Sequence, residues 1–256
     1  MAAGPVAHFC QGYEGHLEHL APQLPAIESI YRRRLPKLVV SPHLQRWLDE
    51  SFGQPSRVTP PILDPLFRPR IRFAPRRNSW VAVPGVFEAE IKRVARALEA
   101  VRILRGAGLT CRTLRFSSFP LSRREADLLT SDRYLCDAPP ARIADELRRC
   151  DLLFLPSRAD EGFGLPALEA MASGVPVVAA ALPSVAFMAD GAITTVEDGN
   201  PEDLATEARR LLTRPPLWRA ARRRGLARAR RFSVERVLPD LEAAIEWAAN
   251  GVEATG

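Results

Sequence analysis

The sequence predicts an α/β protein built on a doubly wound, parallel, Rossmann-like sheet, accompanied by an incomplete remnant of a second α/β domain. Three observations carry this prediction. From about residue 79 onward, short apolar runs alternate with helical patterns. Those runs are continuously apolar rather than alternating, as strands covered on both faces must be. The connections are short, and the fixed handedness of crossovers then favours a doubly wound sheet.

The elements follow in order. Trp80-Val81-Ala82-Val83 is a buried-type strand. Ile91, Val94, Ala95, Leu98, Val101 and Leu104 recur at helical spacing, and Gly106 and Gly108 close that helix. Residues 109–116 read as a strand, and Arg133-Tyr134-Leu135-Cys136 as a shorter one. Residues 141–149 look helical, and Asp151-Leu152-Leu153-Phe154-Leu155 is the strongest strand pattern in the chain. A helix over 166–173 leads into Val175-Pro176-Val177-Val178-Ala179, and Ala192-Ile193-Thr194-Thr195-Val196 completes the series. Sheets of this kind bind ligands at the carboxyl ends of their strands, so the segments after Val83, Cys136 and Leu155 are where chemistry is sought.

Residues 1–70 behave differently. They hold short strand candidates at 6–10 and 38–41, two helical stretches and many prolines. They end in a linker, Pro60-Pro61-Ile62-Leu63-Asp64-Pro65. This reads as the tail end of a domain rather than a whole one. The expected organisation is a remnant and linker over 1–70, a ligand-binding domain over 71–232, and a C-terminal helix and tail over 233–256 packing back toward the N-terminal part. Ser233 can cap that last helix, whose apolar face includes Val237, Leu238, Leu241, Ile245 and Trp247.

Composition narrows the function classes. The chain has 256 residues, 46% apolar and 26% charged, which is ordinary for a globular protein. No apolar run reaches the roughly 18 residues of a membrane span, and the start lacks the pattern of a secretory signal. The expected location is cytoplasmic, with peripheral attachment to an inner membrane face compatible with the basic surface. The formal charge of +6 comes almost wholly from arginine, since only Lys37 and Lys92 are lysines. The arginine-dense run over 219–231 lacks interleaved aromatics for base stacking, so it reads as a solvated helix face and no nucleic-acid partner is expected. Cys10, Cys111, Cys136 and Cys150 are scattered singly, as reduced and mostly buried thiols would be. Gln11, His8, His16 and His19 read as structural or exposed. No metal-ligand cluster is visible, so no metal or cofactor is expected.

One segment carries chemistry. Pro156 to Val178 follows the strongest strand directly, reading P-S-R-A-D-E-G-F-G-L-P-A-L-E-A-M-A-S-G-V-P-V-V. Gly162 and Gly164 remove the side chains that would hold a ligand away from the backbone. Pro166 suits the first helical position, where a missing N–H is harmless. The free amides of that first turn form a ready anion site that would fit a diphosphate. Glu161 lies in the loop and Glu169 about one turn into the helix, a spacing that lets both carboxylates face one pocket. A carboxylate accepting two vicinal hydroxyls is how Rossmann-like sites hold a ribose.

This segment resembles the E-x7-E signature of the family 4 retaining glycosyltransferases, E-G-F-G-L-P-x-L-E-A-M-A-x-G-x-P-V-V. Further resemblances lie at 63–69, which is similar to that family's interdomain linker, and at 222–232, which is similar to its penultimate helix. The resemblance implies a GT-B fold, of which this chain carries the nucleotide-sugar-binding half with a truncated N-terminal domain. It implies a nucleotide-diphospho-sugar donor, retaining transfer, and a glycan, lipid or small-molecule acceptor. A partner chain could supply the missing N-terminal half. The alternative is an impaired binding or regulatory module that holds a nucleotide sugar without transferring it.

By the same resemblance, Glu169 would hold the ribose hydroxyls. Glu161 and the amides of Gly162, Phe163 and Gly164 would hold the transferred sugar, and amides at Leu165, Pro166 and Ala167 would face the diphosphate. Glu161 and Lys92 would be the catalytic side chains, Lys92 matching the family's phosphate-binding lysine. The family's arginine just after its first strand is replaced here by Val86 or Phe87. The glycine expected after the lysine is Arg93, and Pro61-Ile62 replaces the Asn-Gly of the linker.

Overall fold

The computed structural model describes residues 6–158 and 162–250. The chain forms two compact units, one being Leu63–Arg231 and the other combining Met1–Ile62 with Phe232–Gly256. Among the described residues, no helix is long and apolar enough to cross a membrane.

In the smaller unit, strands β1 (His8–Cys10), β2 (Lys37–Val39) and β3 (Ser56–Val58) form a parallel sheet in the order β1-β2-β3. Helices α1 (Leu24–Tyr31) and α2 (Pro42–Phe52) connect them, and α10 (Val234–Ala249) belongs to the same unit. Lys37 is fully buried, its Nζ donating to the carbonyls of Arg33 at 2.9 Å and Leu35 at 3.3 Å, just past the end of α1. Burial holds this ammonium below its ordinary pKa. Tyr13, Tyr31, Trp47 and Phe52 pack ring to ring, with His8 against Tyr31 and His16 against Tyr13. These two histidines therefore sit in a structural aromatic cluster. Arg57 stacks over Trp247 at 5.0 Å.

The larger unit holds strands β4 (Ser79–Pro84), β5 (Cys111–Ser117), β6 (Arg133–Cys136), β7 (Leu152–Leu155), β8 (Val177–Ala180) and β9 (Thr194–Val196). All pair in parallel, in the order β6-β5-β4-β7-β8-β9. Helices α3 (Val94–Gly106), α4 (Arg123–Leu128), α5 (Pro140–Leu147), α6 (Leu165–Ala172), α7 (Pro183–Ala189), α8 (Pro201–Thr213) and α9 (Pro215–Ala229) surround the sheet. Val81, Val83, Leu152, Phe154 and Val178 bury one face of the sheet beneath Leu98 and Val101 of α3 and Leu204 and Ala208 of α8. Strand side chains alternate faces, so Ala82, Leu153 and Leu155 serve the opposite side, where α6 packs on α9. Gly225 of α9 permits that contact, because a Cβ there would lie 3.2 Å from Met171 Cγ.

Two expectations need correction. The helix expected from Ile91 begins at Val94, because Arg93 adopts a left-handed conformation (φ 45°) that interrupts the turn. The arginine run on α9 is not simply a solvated face. Arg222 is buried, donating to the carbonyls of Gly174 and Arg70, and Arg228 donates to the carbonyls of Met188 at 2.9 Å and Phe187 at 2.5 Å. Arginine's planar fork satisfies carbonyls at element ends that no backbone donor reaches.

Candidate functional site

The strand order of the larger unit reverses between β4 and β7, which makes the carboxyl ends of those neighbours the place where an open α/β sheet offers a crevice. After β4 the chain turns at Gly85 (φ 104°), forms a single 3-10 turn at Glu90–Lys92, and enters α3. A Cβ on Gly85 would lie 3.4 Å from Lys92 Cβ and Cγ, so the lysine stem crosses directly over the strand end. After β7 the Arg158 amide donates to the Ile91 carbonyl at 2.8 Å. This bond fastens the loop after β7 to the residue before Lys92. Two of the three segments named from sequence, those after Val83 and Leu155, therefore meet.

The second half of the β7 loop is shaped by Gly164, the N-cap of α6, at φ 85° and ψ 41°. The left-handed conformation and the space both demand glycine here. A Cβ would meet Leu155 Cδ2 at 3.3 Å, with Met188 and Val185 behind it. Phe163 is buried, its ring edge-on to Phe187 with centroids 6.3 Å apart, which fixes the approach to the helix. Ala167 donates its amide to the Gly164 carbonyl at 2.9 Å, and Pro166 has no N–H. Those two positions therefore shape the turn without offering donors to a diphosphate, which corrects the expectation for them. Among the described residues, the amides of Gly162, Gly164 and Leu165 meet no acceptor. Glu161 lies outside the described residues.

Glu169 is half-buried on α6. Burial first, and the Asp64 carboxylate second, push its pKa up to about 7. Asp64 belongs to the linker, where its carboxylate accepts the Leu66 amide at 2.8 Å. Sequence reasoning noted Asp64 only as part of a linker. The available signal was its position four residues after Pro60 in a stretch similar to the family pattern, but proximity to Glu169 is a tertiary fact.

The phosphate side departs from the family pattern in a structured way. Phe87 packs against the core and so offers no cation where an arginine was expected. Arg93 takes a left-handed φ that glycine adopts without strain, which explains why glycine belongs there. Its Nη1 donates to Asp198 Oδ1 at 2.5 Å, and Arg96 Nη1 reaches Asp198 Oδ2 at 3.0 Å. The two guanidiniums hold Asp198 below the usual carboxylate range. Arg115, unnoticed in the sequence, is fully buried beneath the β4 turn. Its Nη2 donates to the Gly85 carbonyl at 2.8 Å, its Nη1 to Val83 at 2.6 Å, and its Nε to Glu125 Oε1 at 2.5 Å. This buried pair fixes the backbone on which Lys92 rests.

Comparison with known proteins gives the site a context. A profile of the family described as "Glycosyl transferases group 1" matches residues 79–214, just over half of the chain. A D-inositol 3-phosphate glycosyltransferase of Segniliparus rotundus is 36% identical over 177 residues, covering 66% of this chain and 38% of that protein. A second protein so named, from Geodermatophilus obscurus, is 39% identical over 131 residues, or 50% of this chain and 28% of its own length. The chain thus spans well under half the length of these relatives. Among solved structures, sucrose-phosphate synthase from Thermosynechococcus elongatus superposes with a TM-score of 0.74 at 18% identity, covering 94% of this chain and 67% of that one. Anabaena Alr3699/HepE, solved in complex with UDP and glucose, also gives a TM-score of 0.74, at 16% identity and with 94% and 71% coverage. At these identities the superpositions speak for the fold alone, an α/β fold shared with GT-B proteins.

Proposed function

This chain belongs to the Glycosyl transferases group 1 family, and we propose that its larger unit binds a nucleotide-diphospho-sugar and presents the sugar for transfer with retention. The observation that carries this reading is the position of the E-x7-E loop. It leaves the sheet at the topological switch point, is tied by Arg158 to the residue before Lys92, and enters α6 through a glycine that no other residue can replace without strain.

Each group then has a task. The Glu169 carboxylate accepts the two ribose hydroxyls. The amides of Gly162 and Gly164 and the Glu161 side chain receive the sugar, while the Leu165 amide at the positive end of α6 faces the diphosphate. Lys92 neutralises charge that grows on the departing nucleoside diphosphate as the sugar approaches an oxocarbenium-like state. The acceptor is a glycan, a lipid or a small molecule. Use of a nucleotide sugar fits a cytoplasmic location.

One observation favours a second reading, a donor-binding module of impaired activity. With Val86 or Phe87 at the arginine position, and Phe87 packed against the core, one charge-assisted contact to the leaving group is absent, which costs on the order of 3 kcal/mol at a transition state, or about a hundredfold in rate. A thermal-shift series with UDP- and GDP-sugars tests donor binding. Stabilisation by one of them, lost in Glu169→Ala, supports both readings, and no stabilisation by any contradicts both. Proton NMR of the released or transferred sugar then separates them. An α-linked product from an α-linked donor supports retaining transfer, and intact donor after long incubation supports the binding module.

A further inference from the structure

We propose that the amino edge of the six-stranded sheet carries a docking surface for an anionic lipid bilayer, formed by Ile71, Phe73 and the arginines around them. This surface lies away from the carboxyl-end crevice and goes beyond donor binding.

Ile71 and Phe73 are the most exposed large apolar side chains among the described residues, at 87% and 73%. They are not on a loose loop. Arg72 between them points inward, donating to the Cys150 carbonyl at 2.7 Å and to the buried Asp151 carboxylate, and its guanidinium lies 5.3 Å over the Trp218 ring. Arg76 holds the same carboxylate through its backbone N at 3.0 Å and its Nε at 3.1 Å. From α9, Arg222 donates to the Arg70 carbonyl and Arg219 to the Phe73 carbonyl at 3.1 Å. With Arg72 turned inward and the carbonyls of Arg70 and Phe73 held from α9, Ile71 and Phe73 are left standing outward. Holding both apolar groups rigidly in water is unfavourable by itself, which points to a surface that receives them.

The charge around them selects that surface. Arg68, Arg70, Arg149 and Arg219 are all exposed. Burial first, and then the like charges of Arg70, Arg68 and Arg149, hold the Arg148 guanidinium below its ordinary range. The neighbouring carboxylates are engaged: Asp151 is buried under Arg72 and Arg76, Asp145 pairs with Arg148, and Glu146 pairs with Arg133 and, at 3.9 Å, with Arg149. Single apolar side chains rising from a field of arginines complement anionic headgroups over acyl chains. A protein partner calls for a contiguous apolar patch, and single-stranded nucleic acid for successive aromatic platforms; neither is present among these residues.

Sedimentation of the full chain with vesicles tests the proposal, using an equimolar phosphatidylglycerol–phosphatidylcholine mixture against phosphatidylcholine alone. The chain is expected to partition onto the anionic vesicles and to leave them as salt rises. Ile71→Ser with Phe73→Ser should lower partitioning on the order of tenfold. Arg68→Ser and Arg70→Ser should each lower it about fivefold. Unchanged thermal melts establish that the variants fold. As a second readout, Phe73→Trp fluorescence should be quenched by brominated anionic lipid beyond the quenching of the parent protein. The proposal fails if anionic vesicles are not preferred, if the double serine variant binds them as well as the parent, or if the tryptophan stays unquenched. It fails equally if RNA binds while vesicles do not, or if the serine variant abolishes a dimer of a chain that never binds vesicles.

Discussion

At the amino ends of the six-stranded sheet, the fully buried Asp151 carboxylate accepts from Arg72, from the Arg76 backbone and side chain, and from the Trp80 amide at 2.8 Å, while its own carbonyl accepts the Trp218 indole at 2.8 Å. At the carboxyl ends, Glu169 is half-buried, and the charge that most affects it is a second carboxylate, Asp64. One end centres on a buried carboxylate that meets donors from two arginines and a strand amide. The other keeps a carboxyl raised toward neutrality and, among the described residues, the amides of Gly162, Gly164 and Leu165 without an acceptor. A buried charge costs stability unless it is paired, so Glu169 is the more expensive of the two carboxylates to keep ionised, as a group kept for the proposed donor would be.

That contrast can be broken at either end. The largest effect is expected from Asp151→Ala, which leaves two arginines and the start of β4 without their acceptor. A loss of about 3–5 kcal/mol in urea unfolding follows. A change below about 1 kcal/mol would show that the network is ornamental. Gly164→Ala should come next, at about 1–3 kcal/mol, because it combines a left-handed φ with crowding against Leu155. Donor stabilisation should fall with it, since the same turn aims the amides.

Glu169→Gln should act in the opposite direction. The carboxyl is pushed from 4.5 up to about 7 in the folded chain, so the fold binds this proton more tightly than the unfolded chain does. Its contribution therefore becomes less favourable as pH rises through that interval. The glutamine variant should be more stable by about 1–2 kcal/mol near pH 8 and unchanged near pH 4, as read by melts across pH. A variant that is destabilised at both pH values contradicts the assignment. The smallest effect belongs to Arg93→Gly. Relief of a left-handed residue, worth about 1 kcal/mol, opposes loss of the contact to Asp198, and melting should show little net change. A large drop would mean that the Arg93–Asp198 contact fixes the site loop.

The sequence makes the larger sheet legible because strands buried on both faces must be continuously apolar, and the runs at Val81, Leu152 and Val177 are. Prolines also carry more information than loop punctuation: Pro140, Pro183, Pro201 and Pro215 each open a helix, and Pro166 is the second residue of α6. Strand β3 is hidden because Ser56-Arg57-Val58 has neither length nor pattern. The buried Arg115–Glu125 pair is hidden for another reason. Its arginine sits within an otherwise apolar strand, and its partner is ten residues away on a different element. The candidate loop was legible through its glycines and spacing. The like-charge effect of Asp64 on Glu169 and the tie from Arg158 to Ile91 depend on chain crossings that spacing does not encode.

The central claim is that the Glu169 carboxylate grips the donor, and calorimetry of nucleotide-sugar binding in buffers of different ionisation enthalpy tests it directly. Hydrogen bonds from ribose hydroxyls favour the charged form, so binding near neutral pH should release about half a proton and strengthen as pH rises toward 8. Glu169→Gln should abolish the release and weaken binding. Donor that binds with no proton release, and equally well to the glutamine variant, would contradict the account.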